Sequence, residues 1–133
     1  VTVGFHAVNF LNKLLDHFRG GTAWTQPSGI YYKLHTGDPG AAGTANAAVG
    51  DATRKAATFG AAAAGSIANT AAIGPWTNGG TSETLTHISA WDASTGGNFL
   101  FSDDLAVSKP WASGETFTIP IGSATVPFGP VAA

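Results

Sequence analysis

"SETLTHISAWDASTGGNFLFS", Ser82 to Ser102, is the stretch whose reading decides the fold. From Glu83 to Trp91, Thr86, Ile88 and Ala90 fall on one face and His87, Ser89 and Trp91 on the other. That alternation is the period of a β-strand. "DASTGGN" is dense in turn formers, and "FLFS" resumes the strand pattern, so the segment predicts an antiparallel hairpin with a longer loop.

The same grammar extends in both directions. Downstream, "KPWASGE" reads as a turn, "TFTIPIG" alternates Phe117, Ile119 and Ile121, and "ATVPF" predicts a last strand. Pro120 and Pro127 confine these runs to sheet edges or strand ends, because proline cannot donate to a ladder. Upstream, "IYYKLHT" sets Ile30, Tyr32 and Leu34 against Tyr31, Lys33 and His35. Short strands are also expected around Ala56 to Phe59 and around Ile67. Many short strands between turns predict a mainly β fold, an antiparallel β-sandwich or jelly-roll-like barrel.

One segment has helical spacing. In "NFLNKLLDHFRGG", Leu11, Leu14, Leu15 and Phe18 fall at i, i+3, i+4 and i+7, which predicts an N-terminal helix over 8–19. Asn9 is the candidate N-cap, and Gly20–Gly21 supply the left-handed stop. A helix this short persists only on an apolar support, so the stripe is either core or a subunit contact. The expected organisation is one domain over 1–133, with the β-sandwich over 28–128 and a long loop over 37–53.

Composition narrows the function. Charged residues make up 11% of the chain, against roughly 25% in soluble proteins at large, with Ala, Gly, Ser and Thr in their place. A surface this poor in charge suits a subunit covered by neighbours. The net charge is −2, and the six Lys and Arg are scattered, which argues against nucleic acid. There is no Cys, which excludes disulfides and thiolate metal sites. No apolar run approaches the ~20 residues of a membrane span. The start "VTVGFHAVNF" lacks the marks of a signal peptide, so assembly in a bacterial host cytoplasm is expected.

"YKLHTGDPGAAGTANAAVG", Tyr32 to Gly50, offers a phosphate cradle with His35 and Asp38 as its tempting reading. A P-loop needs Lys and Ser/Thr after its last glycine, and here Thr44 and Ala45 follow Gly43. Asp38-Pro39-Gly40 is a turn instead: Pro presets φ, Asp bonds its own backbone, and Gly accepts positive φ. His6, His17, His35 and His87 show no metal-motif spacing, and no G-x-S-x-G elbow is present. Glu83, Asp92, Asp103, Asp104 and Glu115 sit near turns or strand ends, where acids are solvated; the Asp103–Asp104 pair is the one candidate for a hard cation. No catalytic, cofactor or metal residues are therefore assigned. Among Trp24, Trp76, Trp91 and Trp111, Trp76 has the most loop-like setting and is the expected exposed, sugar-stacking aromatic.

In order along the chain, "NKLLDHFRGGTAW", "YYKLHTGDPGAAGT", "TRKAATFGAAAAGSIAN" and "THISAWDASTGGNFLFS" resemble small bacteriophage virion proteins of the tail fibre or minor tail type, many from phages of actinobacteria. The resemblance runs from about Asn12 to Ile119. Lys33, the Ala-rich loop after Gly43 and the small-residue tail "GSATVPFGPVAA" depart from the pattern. The resemblance implies a non-enzymatic virion component with no catalytic residues, and other virion proteins as partners. Repeated copies, a trimer for a fibre or capsid-surface knob, are expected to meet through Leu11, Leu14, Leu15 and Phe18. Capsid decoration and a module binding host cell-surface glycan are the alternatives.

Overall fold

A computed structural model of the chain describes residues 3–129; the last four residues of the small-residue tail lie outside them. The fold is mainly β, with antiparallel sheets and one N-terminal helix, and among the described residues the sheets do not close into a barrel. Strands β1 (Ile30–His35), β2 (Lys55–Ala57), β5 (Glu83–Trp91) and β6 (Phe99–Trp111) form a four-stranded sheet in the order β2-β1-β5-β6. Two ribbons complete the architecture: β3 (Ser66–Ala68) with β8 (Thr125–Pro127), and β4 (Ile73–Thr77) with β7 (Thr116–Ile119).

The alternation read from the sequence sets what each face does. Tyr32 and Leu34 of β1, Ile88 and Ala90 of β5 and Phe101 of β6 join Ile73, Trp76 and Ile119 from the β4–β7 ribbon in one hydrophobic cluster. Thr86 does not share that face. The ladder shifts register between Leu85 and His87, so Leu85 is buried in its place. Such irregularities turn side chains to the other face of a strand.

Two segments differ from expectation, and a third adds to it. β6 runs through "KPWASGE" as far as Trp111, because it is a sheet-edge strand at that end and tolerates Pro110 opposite Thr84. β4 forms where Gly74 and Pro75 read as loop, paired to β7 with a register shift between Ile73 and Trp76. The loop over 37–53 carries no strand, yet it is packed, with Pro39, Gly43 and Ala48 buried.

The helix opens one residue before its predicted start. A π-helical turn over Ala7–Leu11 leads into α1, Asn12–Phe18. His6, rather than Asn9, caps it: its Nδ1 accepts from the Asn9 N–H at 3.1 Å. Asn9 reaches across to donate its side-chain N–H to the Phe99 carbonyl at 3.0 Å. Gly20 adopts φ +79° beyond the last turn, and Gly21 N–H closes back on the Asp16 carbonyl at 2.9 Å. Ahead of the helix, Gly4 to His6 lie along the β6 edge, with Ser102 N–H donating to the Gly4 carbonyl and His6 N–H to the Leu100 carbonyl. Phe5 then stacks on Phe10 at 4.6 Å and meets Phe101 and Phe128 at 5.7 and 5.2 Å.

Candidate functional site

The helix stripe divides between two environments. Leu11 and Leu14 are half-buried, whereas Leu15 and Phe18 are 59% and 86% exposed. Phe10, outside the predicted stripe, is the residue that fastens the helix, packing on Phe5, Trp24 and Phe101. Val8 is 61% exposed. Val8, Leu11, Leu15 and Phe18 recur at intervals of three, four and three residues, the spacing of a coiled-coil seam.

Trp76, expected on the surface, is fully buried. Its indole N–H donates to the Thr53 carbonyl at 2.9 Å and its ring lies 6.2 Å from Phe117. A large ring between a cis Gly74–Pro75 bond and Asn78 reads as loop in sequence, but the β4–β7 pairing turns it inward. Asn78 is buried as well, donating to the Thr81 and Trp111 carbonyls. The Trp111 indole N–H is buried without a partner among the described residues.

His35 and Asp38 do not meet as an acid–base pair. His35 is buried, with Nδ1 against the Ala45 carbonyl at 2.8 Å and Nε2 against Ser89 Oγ at 2.7 Å. A carbonyl can only accept, so Nδ1 carries the proton and Nε2 accepts from Ser89, whose Oγ in turn accepts from the Trp91 indole N–H at 2.8 Å. Burial, foremost, holds the imidazole below the ordinary histidine range, and the nearby Lys33 and His87 push the same way. Both ring nitrogens are spoken for. Asp38 is a turn residue, accepting from Gly40 N–H at 2.8 Å.

The remaining histidines are structural too. His17 Nδ1 accepts from the Trp24 N–H, and His87 Nδ1 lies 2.7 Å from Thr86 Oγ1. Glu83 grips the far end of the loop, its carboxylate accepting from the Val49 and Gly50 N–H groups at 2.9 and 2.8 Å. Arg54 lies 4.0 Å over the Trp91 ring and donates to the Ala93 and Gly96 carbonyls of the β5–β6 connection. Among the described residues no group of three or more His, Cys, Asp or Glu could hold a metal ion. Asp103 and Asp104 belong instead to a cavity of about 240 Å³ shared with Tyr32, between β6 and the β7–β8 connection.

The arrangement as a whole is a packed β scaffold with an apolar helix edge. A family model described as "Podophage GP4 fiber I protein gp80" matches residues 7–127. The chain belongs to the gp80 fibre family. It is a phage fibre-type protein, and the match spans the helix and all eight strands. Comparison with curated proteins found no match. The gp80 description agrees with a structural tail-fibre component of the virion that contacts other virion components.

Proposed function

We propose that this gp80-family chain is a non-enzymatic building block of a phage tail fibre, a minor tail component present as repeated copies that associate through the exposed edge of its helix. The reading includes folding as a single domain, assembly in the host cytoplasm and a phage of actinobacteria as source, the last supported by the resemblance over Asn12 to Ile119. The observation that carries the assembly is the row Val8, Leu11, Leu15 and Phe18. Three of its four side chains are left mostly in water by a fold that has apolar residues enough for its own core. Large exposed apolar groups in a row mark a contact surface. A seam spaced at alternating three- and four-residue intervals is satisfied by the same seam on another copy, and a closed trimer gives every copy the same contact.

Sedimentation velocity tests this directly. The wild-type chain sediments as a trimer, and Leu15→Asp with Phe18→Asp sediments as a monomer whose circular dichroism is unchanged, because neither side chain is part of the core. A wild-type chain that stays monomeric at high concentration, or a double variant that still associates, overturns the seam. Mass spectrometry of purified particles, with immunogold labelling along the tail, tests the virion placement separately.

A further inference from the structure

β6 ends the main sheet, and an end strand offers its outer row of N–H and C=O groups to any strand that comes alongside. The chain itself takes up only a short part of that row. The Leu100 carbonyl accepts from His6 N–H at 2.7 Å, and Ser102 N–H donates to the Gly4 carbonyl at 2.9 Å. Beyond Ser102 a cavity of about 240 Å³, rather than a strand, lies beside β6 as far as Val107.

The residues that follow Ser102 remove the pairing groups one after another. In an antiparallel ladder the backbone groups of alternate residues point away from the partner strand, so Asp104 is the next to point outward. Its N–H is already bonded to the Asp103 carboxylate, at 2.9 Å. Leu85 faces Lys109, but His87, two positions on, faces Asp104, five positions back. The surplus residues of β6 bulge. Ala106, Val107 and Ser108 are exposed there, and a bulged strand is bent out of the line that a partner needs. Pro110 has no N–H to give.

Charge acts in the same direction. Neither Asp103 nor Asp104 is in an ion pair among the described residues. A second copy laid antiparallel on this edge brings its own acid pair towards this one, and like charges opposed across strands are destabilising. We infer that Asp103, Asp104 and the bulge over Leu105 to Ser108 close the β6 edge to strand addition by a second copy of this chain, so that copies cannot grow into a continuous sheet.

Asp103→Val with Asp104→Thr tests this, made in the Leu15→Asp, Phe18→Asp background so that the helix edge is silent. The opened edge roughly doubles the mass seen in sedimentation equilibrium as concentration rises, with the circular dichroism of the background protein retained. The amides at positions 104 to 107 become protected from exchange in the associated species. Asp103→Val with Asp104→Pro loses the same charges but offers no N–H at 104, and it does not associate. Should the background itself associate, each variant is compared with it, so the seam and the closed edge fail separately. No added association of the Asp104→Thr protein, equal association of the Asp104→Pro protein, or association without the native spectrum overturns the inference.

Discussion

His35 illustrates how a residue that looks reactive is used for structure. Its imidazole is the middle of a chain running from the Trp91 indole through Ser89 to His35 and on to the Ala45 carbonyl. The chain is complete only while the ring is neutral, since a protonated ring has no lone pair to accept from Ser89. Its folded pKa lies below the 6.5 of an unfolded histidine. The stabilisation is therefore whole above pH 6.5. It is lost as pH falls from there towards the lower folded value, because the unfolded state takes up the proton first. The urea midpoint of the wild type should drop between pH 7 and pH 5. His35→Asn, which keeps a donor for Ala45 but does not titrate, should start lower and show a flatter profile; equal slopes for the two proteins would remove His35 as the cause. None of this chain was legible in advance. His35 and Ser89 are 54 positions apart, and a local pattern carries no information about which strands pair.

At the scale of elements, the loop over 37–53 shows how small residues can be structural. It lies over a face of the sheet that strand alternation marks as polar, and it closes because Gly43 rests on the Phe99 ring at φ +74°. A Cβ there would run into that ring, and the left-handed backbone disfavours any side chain. Gly43→Ala is expected to cost about 1–3 kcal/mol in chemical denaturation. It should also speed hydrogen exchange at Ala45 and Ala48 before any change appears in β5. The elements that the sequence announced were those with clean alternation, β1 and the β5–β6 hairpin. β4 was hidden because Gly74 and Pro75 carry turn chemistry wherever they occur. The far half of β6 was hidden because an edge strand can carry Asp103, Asp104 and Pro110, which a central strand would reject. The helix was legible in outline, but its anchoring side, Phe10, depends on where the Phe5 segment docks.

For the whole molecule, the scarcity of charge has a physical corollary. The described residues hold two ion pairs, Arg19–Asp16 at 2.7 Å and Lys109–Glu115 at 3.9 Å, all four side chains solvent-exposed. Exposed pairs contribute little, and salt screens what they contribute. Cohesion within one copy, and between copies in the proposed assembly, is then apolar. Raising NaCl from 0.05 to 0.5 M should move the melting temperature by no more than about 1–2 °C, the scale of a few tenths of a kcal/mol. Association should hold or tighten over the same range; dissociation by salt would mean that charge, not the leucine and phenylalanine edge, joins the copies. Phe5 and Phe128 touch edge to face, a clasp between the strip ahead of the helix and the segment that follows β8. Segments so distant in sequence and joined by one pair of rings come loose together rather than one at a time, so amide exchange should rise in step at both.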